Sequence, residues 1–505
     1  MVKTRLVRLR NGGLGASTAH LRYLQRDGTQ RDGSRATIYS AREDHCDGKA
    51  FLKRCTNDRH QFRIIVSAED GDAYDDLRPL VRDFMGQMEK DLGTTLQWIA
   101  VDHCDTAHPH THIILRGRDE LGEDLIIARE YIAHGMRERA TDLVNRDLGP
   151  RQDLEIHRQL RRDIDAERLT RIDLTLLRAR QSDGSLEPGH RDPFQHALRI
   201  GRLKKLERLG FVEPIGSGRW RLPSDLEDKL RRLGKLQNTI TTIGRELGAR
   251  GLTRPRSDWN VGDGSSSTAI VGRLIARGLS DEIADRHFLI VDGVDGRVHY
   301  LETGAGAALE RIPGDAVIRV TMAIGREQGP EPSSLRDFAI LSPTPLDRLA
   351  EWNGPTWLDR QLNGEEKESL RDCGFGAEVR SALATRRQWL TDQQLAYEDN
   401  GEFALRDDAL SVLRKRELSG ASARIEQELG KTFAQCEEGG LVKGTLNRRL
   451  DLGSGSFALL EDGHEFMLVP WKPLLEHQVG QEIEGLVRQG TISWTFARSR
   501  EFPFE

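Results

Sequence analysis

The sequence predicts an α+β fold. An antiparallel-sheet domain comes first, helical and winged-helix-like segments follow, and a small all-β module ends the chain. Three observations carry this. Short strand-like runs at 1–10, 62–67, 96–103 and 110–117, the first of them alternating, are interleaved with amphipathic helical text. Residues 196–233 read as helix, turn, helix, wing, helix, and a similar order recurs at 379–418. Residues 441–497 alternate apolar and polar with turn signals between.

Each element follows from local pattern. MVKTRLVRLR (1–10) alternates Val/Leu with Lys/Arg and reads as a half-buried strand, and FRIIVS (62–67) as a second. Leu77, Leu80, Val81, Phe84, Met88 and Leu92 recur at helical spacing, with Gly93 suited to the C-terminal cap. LQWIAVDH (96–103) and HTHIILRG (110–117) read as two further strands, joined as an antiparallel hairpin by Cys104–Pro109. A helix follows over 128–149, and 151–169 is charged helical text. The Leu203/Leu206/Leu209 face, Gly210 and the hairpin FVEPIGSGRWRL make the pattern of a winged helix, repeated at 379–418. A second echo pairs HFLIVDGVDGRVHYLE (287–302) with SFALLEDGHEFMLVPW (456–471), each strand, DG turn, strand, as in small β-barrels. RPRSDWNVGDGSSS (254–267) reads as a linker.

A chain of 505 residues is too long for one ordinary core. The expected division is 1–150, a sheet domain; 151–253, helical and winged-helix-like; 254–340, β-rich; 341–440, a second winged-helix-like region; and 441–505, a β-barrel-like module. No apolar run approaches the ~20 residues that span a bilayer, and the first residues lack the apolar core of a secretory signal. The five cysteines are scattered and form no CxxC, which fits a reducing, cytoplasmic setting. Net charge is −5, yet residues 1–63 hold 14 Lys/Arg against 6 Asp/Glu, a local footprint for a polyanion. A solvated basic face is the competing reading of that charge.

Four of the 15 histidines fall between His103 and His112. Residues i and i+2 of a strand share a face, so His110 and His112 present two imidazoles side by side, with His103 able to join them across the hairpin. Three neutral imidazoles leave open positions on a divalent cation, the arrangement of a catalytic rather than a structural site. His108 shares the parity and competes with His103, but Pro109 marks the strand's start and leaves His108 in the loop. Asp102 or Asp105 could orient a ligand histidine through its second nitrogen. The competing reading is a histidine-rich turn without a cation.

Upstream, AHLRYLQRDGTQRDG sets Tyr23 between Arg22 and Arg26 in the basic region. A phenol is a poor nucleophile at its ordinary pKa of about 10. A cation polarising a phosphate, with guanidinium groups nearby, makes its attack feasible. Tyr39, Tyr74 and Tyr131 are rival tyrosines of the same domain, and packing is the competing role for any of them.

Tyr23, FRIIVS (62–67) and the run from His103 to His112 together resemble the three motifs of conjugative and mobilisation relaxases of the HUH endonuclease superfamily, the T-DNA border-nicking type. DLGTTLQWIAVDH, GEDLIIAREYIAHGMRERATDLVNRDLGPR, TWLDRQL (356–362) and LEDGHEFMLVPWKPLLEHQVGQEIEGLV resemble the branch with a long accessory C-terminal region, over nearly the whole chain. One departure stands out: members usually carry a further basic segment before the VKTRLVRL-like strand, where this chain starts.

The resemblance implies site- and strand-specific transesterification on single-stranded DNA at a transfer origin. Tyr23 would be the nucleophile, forming a 5′-phosphotyrosyl intermediate and a free 3′-hydroxyl. His103, His110 and His112 would hold Mg²⁺ or Mn²⁺, and the spacing from His103 to His110 is the family's, which favours His103 over His108. Ser67 matches a position near the DNA, with a strand-end cap as its competing role. Arg22, Arg26 and Arg63 are candidates for phosphate contacts; Asp105 and His108 would lie behind the ligands. The phenolic proton would go to His20 or Asp105. Implied partners are a type IV secretion coupling protein and accessory relaxosome proteins, with the protein itself cytoplasmic or carried along with its DNA.

In the C-terminal region, Arg202, Lys204, Lys205 and Arg208 on the first winged helix could contact DNA, opposed by Asp225, Glu227 and Asp228. Trp471 and Trp494 are expected to pack. Two rival functions remain: a small-molecule hydrolase using the histidine cluster, for which Tyr23 is dispensable, and a DNA-binding relative that has lost cleavage.

Overall fold

The computed structural model describes residues 1–9, 17, 20–21, 24–25, 36–104, 109–149, 153–261, 269–281, 286–303, 312–322, 335–364, 368–399, 402–436, 439–488 and 491–495. The chain divides into two compact units, Met1–Gly244 with Asp281–Arg286, and Arg245–Ser280 with His287–Glu505.

The first unit opens with β1 (Val2–Arg8), β2 (Ile38–Ser40), β3 (His60–Val66), β4 (Trp98–His103) and β5 (His110–Arg116), ordered β1-β3-β5-β4-β2 with every neighbouring pair antiparallel. Helices α1 (Gly48–Arg54), α2 (Arg78–Leu92) and α3 (Met136–Leu148) complete it. On α2, Leu80, Val81, Phe84, Met85 and Met88 recur at helical spacing and are buried, and Gly93 caps the end in the left-handed region at φ 69°. They pack with Met136 against Phe62, Ile64, Trp98, Ala100, Ile113 and Leu115. The other face of the sheet carries Ile99, Val101 and Ile114, covered by Leu21, Leu24, Phe51 and Leu52. The antiparallel sheet, its four long strands and the two long helices are as expected; β2 and α1 were not read from the sequence.

Next come α4 (Asp153–Asp165), α5 (Arg171–Ala179), β6 (Ser185–Leu186), α6 (Pro193–Arg208), β7 (Glu213–Gly216), β8 (Arg219–Arg221) and α7 (Leu226–Ala249). The small sheet is ordered β6-β8-β7, and Leu198, Leu203, Leu206, Trp220 and Leu230 share its core. This is a winged helix, with α6 immediately before the β7–β8 wing.

In the second unit, β9 (Trp259–Asn260), β10 (Ile270–Asp281), β11 (Arg286–Gly293), β12 (Val298–Thr303), β13 (Val317–Met322) and β14 (Leu335–Ser342) form a sheet ordered β14-β13-β10-β11-β12-β9. After it stand α8 (Leu346–Leu349), α9 (Trp357–Leu362), α10 (Gly374–Asp392), β15 (Ala396–Asp399), β16 (Glu402–Leu405) and α11 (Ala409–Leu429). The last sheet is built from β17 (Thr432–Phe433), β18 (Leu441–Leu452), β19 (Gly455–Asp462), β20 (Glu465–Pro470), β21 (Glu482–Arg488) and β22 (Thr491–Thr495). Its order, β17-β20-β19-β18-β21-β22, is that of the preceding sheet read from the other edge. Both begin with a two-residue strand paired parallel to the fourth. Gly272 of β10 and Gly444 of β18 each lie where a Cβ would strike a carbonyl of the next strand, Asp292 and Glu461 respectively.

The accessory region is therefore a tandem duplication: winged helix, sheet, winged helix, sheet. The two sequence echoes fall on equivalent elements of the copies.

The copies also share a buried lock. Thr170 and Asp173 form a capping box at the start of α5, and Thr356 and Asp359 form one at the start of α9. Arg202 of α6 donates from Nε to Asp173 Oδ1 at 2.8 Å and from its terminal nitrogens to Asp173 Oδ2 and to the carbonyls of Ile164, Ala166 and Arg168. Arg386 of α10 repeats this with Asp359, at 2.8 Å, and the carbonyls of Trp352 and Gly354. All four charged side chains have zero exposure.

Arg202 is thus corrected from a candidate DNA contact to a core residue. The stretch 254–267 is corrected in part from linker to structure: Arg254 is paired with Asp292 at 2.8 Å and with Glu378 at 2.6 Å, and Trp259–Asn260 is a strand. Trp471 and Trp494 pack against the last core as expected. Among the described residues no helix is long and apolar enough to cross a membrane.

Candidate metal centre

The site is a consequence of strand alternation. On β4, Trp98 and Ala100 turn toward α2, while Ile99 and Val101 turn to the face covered by Leu21 and Leu24. His103 continues the second set. On β5, His110 and His112 share the face of Ile114, and the register sets His103 opposite His110 and Val101 opposite His112.

The three imidazoles converge. One nitrogen of each of His103, His110 and His112 lies within 4.8 Å of the others. His110 Nε2 and His112 Nε2 are 3.1 Å apart. Two nitrogens at that distance cannot both aim lone pairs at each other unless a proton or a cation lies between them. His103 is fully buried, His112 nearly so and His110 half-buried, so the cluster is walled on one side and open on the other. The donor set, three borderline-soft nitrogens on a rigid hairpin, fits a divalent cation with further positions left for oxygen ligands. These three side chains could hold a metal ion.

Leu24 meets the cluster through its backbone. The Leu24 carbonyl lies 2.8 Å from His103 Nε2, whose N–H can donate to it. Leu21 and Leu24 are buried against the same sheet face. Arg22, Tyr23, Arg26, Asp105 and His108 lie outside the described residues.

Arg63 of β3 is buried and sits on the face of His112, since Ile65 is the partner of His112. Arg5 of β1 pairs with Arg63, and the two line a cavity of about 10 Å³ with His20 and His112, room for about one water. Arg5 was missed. The half-buried strand expected over MVKTRLVRLR is present, but on it Arg5 is half-buried and Leu6 is 48% exposed. Its signal was parity with Val7 and Leu9, the residue packed on the covered face.

Ser67 follows Val66, the partner of Thr111. Its N–H donates to the Met1 carbonyl at 2.9 Å, and its carbonyl accepts from the Met1 ammonium.

Asp102 does not back a ligand histidine; that expectation is corrected. It faces away from the cluster, and its Oδ1 accepts from the Tyr39 hydroxyl at 2.8 Å and the Thr111 hydroxyl at 2.6 Å. Burial pushes its carboxyl above the usual range, although both bonds favour the ionised form. A carboxyl whose folded pKa is raised destabilises the fold while ionised. Its contribution therefore improves as pH falls from neutrality through the raised folded pKa, and levels off below the unfolded value. Asp102→Asn keeps an acceptor for both hydroxyls and removes the charge. Urea midpoints measured at pH 7 and pH 5 should move in the wild type's favour on the acid side by comparison with the variant. Parallel midpoints would sink this account.

The rival tyrosines are all engaged with carboxylates. Tyr39 is fully buried, and burial with the Asp102 charge pushes its pKa far up. Tyr74 donates to Asp147, and burial and that carboxylate raise its pKa to about 12. Tyr131 donates to Asp91 at 2.8 Å and is pushed up by burial and that bond. Each therefore carries less phenolate near neutrality than a free phenol does.

Comparison with known families agrees with this geometry. A family model described as MobA/VirD2-like relaxase, nuclease domain, matches residues 26–131, which include all three histidines and begin three residues after Tyr23. A second, described as Protein of unknown function (DUF3363), matches residues 199–329 and 327–502. No curated protein matches the chain. The chain carries a relaxase nuclease domain of the HUH type on its N-terminal sheet, and with more than half its length it belongs to the DUF3363 family.

Proposed function

We propose that the protein is a site- and strand-specific DNA relaxase that nicks single-stranded DNA at a transfer origin by transesterification. The observation that carries the reading is the convergence of His103, His110 and His112 on the sheet face whose His103 meets the Leu24 carbonyl. Held there, Mg²⁺ or Mn²⁺ would polarise the scissile phosphate and stabilise its developing charge.

The chain's own residues do the rest. The Tyr23 oxygen attacks phosphorus in line, the P–O3′ bond breaks, and the 3′-oxygen leaves as a hydroxyl. The product is a 5′-phosphotyrosyl enzyme, and the retained ester bond lets the strand be rejoined without ATP. His20, which lines the cavity beside His112, is our candidate acceptor for the phenolic proton, with Asp105 the alternative. Arg63 shares that cavity and joins Arg22 and Arg26 as a phosphate contact, while Ser67 approaches the DNA from the end of β3. His108 and Asp105 are our candidates for orienting the ligand histidines. A coupling protein and relaxosome proteins are the partners this reading requires, and the five-part division at residues 150, 253, 340 and 440 belongs to it.

The test uses labelled single-stranded oligonucleotides tiled across the neighbouring DNA, with Mn²⁺. Wild type should give a band that stays shifted in boiling SDS, and Tyr23→Phe should give none. A band that survives Tyr23→Phe would move the nucleophile elsewhere. Tight Mn²⁺ binding without any adduct would overturn the reading in favour of a hydrolase or a cleavage-inactive relative.

A further inference from the structure

The tandem duplication contains its own control. What a winged helix needs in order to fold should appear in both copies, and what one copy does beyond folding should appear in that copy alone. The buried arginine lock is common to both. The wings are not. The first wing carries Arg219 and Arg221 against Glu213, whereas the second carries Glu398, Asp399 and Glu402 and no cation.

The first copy directs its cations outward. On β8 the alternation buries Trp220 in the core and leaves Arg219 and Arg221 exposed on the opposite side. The wing tip is narrow: Gly216, Ser217 and Gly218 all have positive φ, so nothing bulky stands in front of the two arginines. On α6, His196, Ile200, Lys204 and Arg208 recur every four residues along one face, and His196, Lys204 and Arg208 are exposed. Among the described residues Lys204 and Arg208 form no ion pair, while the neighbouring Lys205 is occupied by Glu167 at 3.0 Å. The exposed acids on these elements are Glu207 and Glu213, the latter 4.0 Å from Arg221. Of the three acids at the start of α7, Asp225 and Glu227 are taken up by Lys229 and Arg231 one turn on, and Asp228 is exposed.

The second copy lacks this arrangement. On α10, Arg380 is paired with Asp372 and Arg387 lies over the Phe403 ring at 5.5 Å.

We propose that the first winged helix binds duplex DNA, through phosphate contacts by Lys204 and Arg208 of α6 and by Arg219 and Arg221 of the wing. A helix and a hairpin side by side, both tipped with cations, fit a groove and its flanking backbone. The proposal rests on the relaxase reading for its choice of polyanion: a chain whose first domain handles a DNA strand has duplex DNA adjoining that strand. The second winged helix, with its acidic wing, is excluded from this role.

The test is fluorescence anisotropy of a labelled 30-base-pair duplex with the full-length chain, titrated at several salt concentrations. Lys204→Glu with Arg208→Glu, and separately Arg219→Glu with Arg221→Glu, should each weaken binding at least tenfold at low salt. Each pair should lower the slope of log affinity against log salt by about two, since a phosphate contact contributes roughly 0.9. Arg380→Glu with Arg387→Glu, the control in the second copy, should change neither. All these positions are exposed, and an unchanged circular dichroism spectrum establishes that the variants fold. Wild-type affinity and slope in the four-site variant would overturn the proposal. So would stronger binding of polyglutamate than of duplex at matched charge, which would assign the face to an acidic protein. The readout needs no cleavage, so absence of a covalent adduct sinks the relaxase reading and leaves this result standing, and loss of duplex binding with normal adduct formation does the reverse.

Discussion

His112→Ala should lower the affinity for Mn²⁺ by more than about 100-fold. Loss of a residue that only orients a ligand typically costs 10- to 100-fold in metal affinity, and loss of a direct ligand costs more. His112 occupies the centre of the arrangement: its Nε2 is 3.1 Å from that of His110, and its ring is 4.6 Å from that of His103. Without it, the remaining pair faces each other across the hairpin with ring centroids 5.5 Å apart. His110→Ala should have a comparable effect, and because His110 is only half-buried its loss disturbs packing least. Calorimetric Mn²⁺ titration of the full-length chain measures both, with circular dichroism as the check on folding. Unchanged affinity in either variant would remove that residue from the ligand set.

The second large effect concerns stability. Arg202→Ala leaves the Asp173 carboxyl fully buried without its cation, and Arg386→Ala does the same to Asp359. Removing one partner of a buried ion pair costs about 3–5 kcal/mol. The carboxylates also accept from the backbone N–H and hydroxyl of Thr170 and Thr356, so Asp173→Ala and Asp359→Ala lose a helix cap as well, worth about 1 kcal/mol. Denaturant unfolding should show a winged-helix transition displaced by that amount in each variant. Replacing both partners together with apolar residues, as in Arg202→Met with Asp173→Leu, should recover only part of the loss: no charge is then left unpaired, but the carbonyls of Ile164, Ala166 and Arg168 lose their donor. A single variant that loses less than about 1 kcal/mol would contradict the lock.

Much of this architecture was legible because it is local. The helix at Arg78–Leu92 and the hairpin of β4 and β5 follow from spacing within one segment. The histidine cluster was legible for the same reason, since i and i+2 share a face and one hairpin register brings His103 opposite His110. What was missed depends on distant partners. Arg202 looked like one more surface cation because Asp173 lies 29 residues away in sequence. Arg254 looked like part of a linker because Asp292 and Glu378 lie 38 and 124 residues away. The repeated strand pairs were visible in the text; the identical strand order of the two sheets was not, because pairing between distant strands leaves no local mark. Strand β2 and helix α1, of three and seven residues, are too short for a period to declare itself.

Strands β4 and β5 carry two chemistries, one on each side. His103, His110 and His112 face one way, and Asp102 and Thr111 face the other with Tyr39. Because the side-chain period is two, a slip of one residue would turn the whole set over. The imidazoles would be driven among Phe84, Met85 and Met88, and a carboxylate would arrive where a cation expects nitrogen. The flanking Ile99, Val101, Ile113 and Ile114 tolerate such an exchange, being apolar on both sides. Asp102 does not tolerate it, because on the wrong side it has neither hydroxyl. The buried carboxylate thus acts as a misalignment detector for the metal site, making the incorrect pairing the more expensive one although it never touches the ion itself.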